Sequence, residues 1–235
     1  MNTTTPFKIL QNTTALLVLA AVVGGASFQT TLAQARTAAA ISQEQSMNEL
    51  NQTQQSLALI GKYVATGNQA ELKNVLNQTF DRKALTINQA KDAIVQLYAY
   101  CGFPRALNGL ATLQSVVNER QEQGLNTEIG RKVTALSADF DSLKAGQKTQ
   151  TELTGREVKG GIFDFAPDIN RYLQAHLFGD VFTSDLLSWQ QREVLILGAL
   201  GANADTASQY NAHKNIGKHN GLTDGQINAI ETLVK

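Results

Sequence analysis

Cysteine is nearly absent from this chain, with Cys101 alone among 235 residues. A single thiol excludes an internal disulfide, so the fold must hold by packing rather than by covalent cross-links. Proline occurs only three times, which leaves long stretches free to run as uninterrupted helix. An excess of either charge is missing too: 20 Lys and Arg stand against 20 Asp and Glu. Nucleic acid is therefore not an expected partner, because neutralising phosphates takes clustered cations. Metal-ligand spacings such as His-x-x-x-His are absent as well, and neither a metal nor an organic cofactor is expected.

What is present begins with Lys8, followed by the apolar run ALLVLAAVVGGA at 15–26 and by TLAQA ending at Ala35. A short cationic region, an apolar segment and an A-x-A site describe a secretory signal peptide. The run is too short for a membrane span, which takes about 20 residues. Residues 1–35 are read as that leader, and the protein as exported, periplasmic or secreted, with no stable membrane anchor after cleavage. The remaining chain of about 200 residues is long enough to bury its own core.

Nearly everything after Leu57 reads as helix. In LTINQAKDAIVQLYAYC, residues 85–101, the positions Ile87, Ala90, Ile94, Leu97 and Cys101 fall on one helical face. Thr86 with Gln89 forms a capping-box pattern at its start. Pro104 is expected to stop or kink this helix, and a further helix is expected near 105–121. The run Val194–Leu197 inside WQQREVLILGALG implies a helix buried on most sides. Between these segments, 126–183 reads as a linker with one short helix around 167–178.

An internal repeat organises the helices. A shift of 137 residues places Leu57-Ala58 on Val194-Leu195, Gly61 on Gly198, Leu85-Thr86 on Leu222-Thr223 and Gln89 on Gln226. A first repeat spans 36–125 and a second 184–235, each reading as helix, helix, Leu-Thr cap, helix. The period is far longer than a solenoid's. An all-α fold built on a duplicated helical unit is the expectation, with the second copy reaching Lys235 where the counterpart of YAYCGFPR would begin.

The first copy, with GNQAELKNVLNQT at 67–79 and LTINQAKDAIVQLYAYCGFPRALNGL at 85–110, resembles the carboxymuconolactone decarboxylase family. So does the second, with REVLILGALGANADTASQYNAHKNIGKHNGLTDGQI at 192–227, and HLFGDVF at 176–182 is similar to the connecting stretch of two-copy members. The resemblance implies an all-α homo-oligomer, commonly a trimer or hexamer, and lyase chemistry on a small carboxylated lactone or related organic acid. Related alkylhydroperoxidase-D-like peroxidases carry a Cys-x-x-Cys pair just before a histidine, with a glutamate on the preceding helix. Here Glu193 and His213 match that glutamate and histidine, but Thr206 and Gln209 stand where the cysteines would fall. A disulfide-forming peroxidase cycle is therefore not available. In the first copy Ser56 and Leu76 occupy the matching positions.

His213 is accordingly the candidate general acid or base, with Glu193 as its partner. Arg105 and Arg192 are candidates to hold a substrate carboxylate through bidentate hydrogen bonds. Tyr210, on the His213 face with Thr206 and Gly217, completes the candidate substrate-binding set. Each has a structural reading beside the functional one: a core-edge histidine, a first-turn carboxylate, surface arginines. Cys101 is either the thiol of a single-cysteine peroxidase or a small apolar residue filling a helix contact. Three functions stand open: a lyase-like enzyme on a small-molecule substrate, an antioxidant protein using Cys101, and a non-catalytic oligomeric binding protein.

Overall fold

The computed structural model describes residue 37 and residues 49–235, and all regular structure among them is helical. The expected leader, 1–35, lies outside the described residues, and no described helix is long and apolar enough to cross a membrane. The first half supplies α1 (Gln52–Thr66), α2 (Gln69–Asp81), α3 (Ile87–Gln96) and α4 (Tyr98–Glu122). The middle holds α5 (Ser142–Thr154), α6 (Ile162–Phe165), α7 (Pro167–Tyr172) and a π-helical segment, Leu173–Val181. The last part contributes α8 (Trp189–Gly201), α9 (Ala207–His219) and α10 (Asp224–Val234).

The shift of 137 residues recurs in the local hydrogen bonding. At the start of α3 the Gln89 amide donates to the Thr86 hydroxyl while the Thr86 amide donates to the Gln89 side chain. Thr223 and Gln226 do the same for α10. A second pair of reciprocal boxes lies at the same offset, Asn51 with Gln54 on α1 and Ser188 with Gln191 on α8. Each box satisfies amides that a helix N-terminus leaves open, and a cap contributes about 1 kcal/mol.

The two halves meet where α1 crosses α8. A Cβ on Gly61 would lie 2.2 Å from the carbonyl oxygen of Leu195, and a Cβ on Gly198 would lie 2.2 Å from that of Ala58. Gly61 and Gly198 are equivalent under the shift, and so are Ala58 and Leu195. The contact is therefore reciprocal, as in a twofold interface but within one chain. Around it Leu57, Ile60, Val64, Val194, Leu195 and Leu197 are completely buried. The opposite face of α8, through Ile196 and Leu200, packs on a second cluster with Leu153, Leu177, Phe178 and Phe182. The continuous apolar run of α8 is thus enclosed on every side, as its sequence implied.

Two expectations are revised. The break expected at Pro104 falls two residues earlier, at Gly102, whose φ of 81° and ψ of 156° belong to glycine's territory. Proline then sits in the first turn of the resumed helix, where its missing N–H costs little. The segment expected as a linker, 126–183, is largely helical: Ser142–Thr154 form α5, capped by Asp141, and 167–181 run as α7 and the π-helix. Within it, 126–141 and 155–161 are irregular. The carbonyls of Glu128 and Ile129 accept from the Ile87 and Asn88 amides at 2.9 and 3.0 Å, so this strap covers the open end of α3.

Candidate functional site

The Ser188 box starts α8 so that Arg192 and Glu193 fall one turn inside it, and both are buried, 0% and 1% exposed. Buried charges persist only when paired, and each has partners. His213, on α9, meets the Glu193 carboxylate through Nδ1 at 2.8 Å. α9 approaches this closely because Gly217, one turn past His213, lies against Leu222 and Glu193. A Cβ there would sit 2.8 Å from Leu222 Cδ1 and 3.8 Å from Glu193 Cβ. The other ring nitrogen of His213, Nε2, has no partner among the described residues, and the side chain keeps 13% exposure. The imidazole therefore has one nitrogen anchored inside and an edge that reaches the surface.

Arg192 is engaged internally. Its Nη2 donates to Asp92 at 2.8 Å and to the Ser184 carbonyl at 2.7 Å, and its Nη1 donates to the Gln96 side chain. The Phe182 ring lies 5.3 Å away. Burial lowers the pKa of Arg192 and Asp92 opposes that change. The bidentate grip that the sequence suggested for a substrate carboxylate is thus taken up by Asp92, Gln96 and Ser184, because desolvating a guanidinium demands acceptors at once. Only Nε remains without a protein partner.

The remaining candidates are placed as follows. Arg105 is exposed on α4 beside Gly67, and its charge acts on Cys101. Tyr210 lies one turn before His213 and packs between both apolar clusters. Its hydroxyl is buried without a protein partner, and burial pushes its pKa to about 12, aided by Glu231. The Cys101 thiol donates to the Leu97 carbonyl at 3.1 Å and packs on the main core. Burial pushes it up to about 11 even with Arg105 near, so the reactive thiolate form is scarce at neutral pH. His176 pairs with Asp180 at 2.9 Å on the surface, and His219 donates to the Glu152 carbonyl at 3.2 Å. Among the described residues no three His, Cys, Asp or Glu side chains gather as metal ligands.

Three further residues belong to this site. Asp92, Gln96 and Tyr100 are spaced by four and form one stripe across the α3–α4 junction. The first two hold Arg192, while the ring of Tyr100 stands edge-on to His213, centroids 5.4 Å apart. Its hydroxyl is buried without a protein partner. Burial and then the charge of Glu193 drive its pKa well above 10, against the opposing effect of Arg192. A polar i, i+4, i+8 series beside the apolar stripe of Ile87, Ala90 and Ile94 was the signal available in the sequence. Ser56 and Leu76, the first-half equivalents of Glu193 and His213, are buried, so the polar pair exists in the second half only.

The fold and site define an all-helical protein with a buried carboxylate–imidazole pair between two helices, an arrangement suited to moving a proton and furnished with no thiol pair. Residues 167–234 match the model of the Carboxymuconolactone decarboxylase family. The matched segment contains Arg192, Glu193, Tyr210 and His213. No curated protein matches the chain significantly.

Proposed function

We propose that the protein is a carboxy-lyase-like enzyme acting on a small carboxylated lactone or related organic acid, with His213 carrying the proton. The reading rests on one observation: buried Glu193 holds His213 through Nδ1 at 2.8 Å and leaves Nε2 unengaged. A buried carboxylate behind an imidazole orients the ring and holds the Nδ1 proton toward itself, and a histidine so held can give or take a proton at Nε2. In the reaction the bond between the substrate carbon and its carboxylate breaks and carbon dioxide leaves. The electron pair stays behind and spreads to the conjugated oxygen as an enolate. His213, entering this step as an imidazolium with Nδ1–H held by Glu193, then delivers its Nε2 proton to that carbon, the enolate returns to the carbonyl form, and solvent restores the proton to Nε2. The protonated thiol of Cys101 argues against the antioxidant alternative.

The first half is inferred to be a second copy of the same helical unit, since its caps and crossing glycine repeat at one offset while Ser56 and Leu76 replace the polar pair. An exported homo-oligomer accompanies this proposal, to be checked by sequencing the N-terminus of the exported protein and by light scattering. Activity is tested by incubating the protein in deuterated water with carboxylated lactones and β-keto acids. Carbon dioxide release and deuterium at the reacting carbon are followed by NMR. Turnover is expected, and His213→Gln should lower it about 10²- to 10⁴-fold, the usual contribution of a positioned acid or base. Full turnover by His213→Gln, or none by the natural sequence across the panel, overturns the reading.

A further inference from the structure

Buried donors without acceptors are rare in folded proteins, and each one asks for a partner. Four belong to Arg192 and its neighbours: Gln96 Nε2, Arg192 Nε and the hydroxyls of Tyr100 and Ser184. Gln96 and Arg192 are completely buried and joined through Gln96 Oε1, so the leftover amide N–H and guanidinium N–H belong to adjacent groups. Tyr100 follows Gln96 by one helical turn, with its ring against His213 and its phenol within reach of the charges of Glu193 and Arg192. The two N–H groups can only donate, and the tyrosine retains its proton. Two N–H groups that cannot accept, beside a phenol free to donate, complement an oxygen that bears or develops negative charge.

We propose that Gln96, Arg192 and Tyr100 form a seat for the carbonyl or enolate oxygen of an organic acid whose reacting carbon lies at His213. The inference rests on the reading of His213 as proton carrier. It names the ligand class more closely: a planar acid with a carbonyl conjugated to the carbon that is protonated. The seat is composite, since Gln96 and Tyr100 come from the first half and Arg192 from the second. It also explains why an unsatisfied hydroxyl is retained in a packed site. Tyr100 costs stability in the free protein and gains its partner only with ligand bound.

The test uses oxalate, a planar anion that mimics an enolate flanked by a carboxylate, titrated calorimetrically into the full chain and into Tyr100→Phe. Thermal unfolding of each is measured without ligand. Tyr100→Phe is expected to unfold at the same or a higher temperature than the natural sequence and to bind oxalate about tenfold or more weakly, the worth of one hydrogen bond to a charged acceptor. Equal oxalate affinity in the two proteins, or no oxalate binding by the natural sequence, overturns the seat. Weaker binding accompanied by a lower unfolding temperature also overturns it, because the hydroxyl would then be structural. If His213→Gln loses turnover while Tyr100→Phe binds oxalate normally, proton transfer stands and the seat falls. The opposite pattern removes the proton-transfer reading and keeps the seat.

Discussion

Replacing Gly61 by alanine tests the helix crossing on which both halves depend. The added methyl would sit 2.2 Å from the Leu195 carbonyl oxygen and 2.9 Å from the Ala199 nitrogen, where a relaxed carbon–oxygen contact is about 3.3–3.6 Å. Both atoms are backbone of α8, so no side chain can turn aside, and the helices must part by about 1 Å. A gap of about 0.5–1 Å forfeits a quarter to a half of the dispersion attraction of each contact it opens. Those contacts include the fully buried Leu57, Ile60, Val64, Leu195 and Leu197. Overpacking of this kind costs about 1–3 kcal/mol or more, and alanine returns about 1 kcal/mol through helix propensity. With backbone on the receiving side the upper range applies, and the net loss is about 2–3 kcal/mol. In a unit of this size that lowers the unfolding temperature by about 4–12 °C, and chemical denaturation should show a lower midpoint at unchanged slope. Gly198→Ala meets Ala58 in the equivalent geometry and should lose a similar amount. The double substitution should lose less than the sum, because the first methyl makes room for the second. A neutral or stabilising single substitution would refute the close crossing, and strongly unequal losses would refute its reciprocity.

Two other predictions concern buried groups. Asp92→Leu leaves the Arg192 guanidinium without its counter-charge and should cost about 3–5 kcal/mol, and adding Arg192→Met should recover most of that. A double variant as unstable as the single one contradicts the assignment of this ion pair. Cys101, with its thiol pushed from 9.0 to about 11, should react with iodoacetamide near neutral pH much more slowly than in the urea-unfolded chain, as mass spectrometry would show. The folded state holds this proton more tightly than the unfolded one. Its contribution to stability is therefore full below about pH 9 and is lost as pH rises from about 9 to 11. Cys101→Ala should flatten that alkaline decline in the denaturation midpoint, and an unchanged profile would remove the thiol as its source.

Helices were legible where apolar periodicity is strong, as in α3, and where an apolar run demands burial, as in α8. They were not legible where packing uses few apolar side chains. α5 buries only Gly146, Gln150 and Leu153, too little to draw a stripe, and a π-turn is set by its surroundings rather than by local propensity. The Asn51 and Ser188 boxes escaped comparison because asparagine and serine cap alike while differing in identity. Glu193 and His213 can be singled out by residue type, twenty positions apart on neighbouring helices. Arg192 reads as a ligand-binding or surface arginine until Asp92, Gln96 and Ser184 are brought to it from distant parts of the chain. Tyr100 looks like one more core aromatic, and its relation to His213 exists only once the fold brings the two rings together.

A dimer of identical units must carry the same residue at both of its equivalent positions. Joining the two units in one chain lifts that rule, and here Ser56 stands opposite Glu193 and Leu76 opposite His213. A substitution in one half need not then be matched in the other. The first half carries buried Ser56 and Leu76 at these positions while bringing Asp92 and Gln96 to Arg192 and Tyr100 to His213. Asp92, Gln96 and Tyr100 thus lie on one side of the crossing and Arg192, Glu193 and His213 on the other, so a substitution on either side need not be repeated at its counterpart.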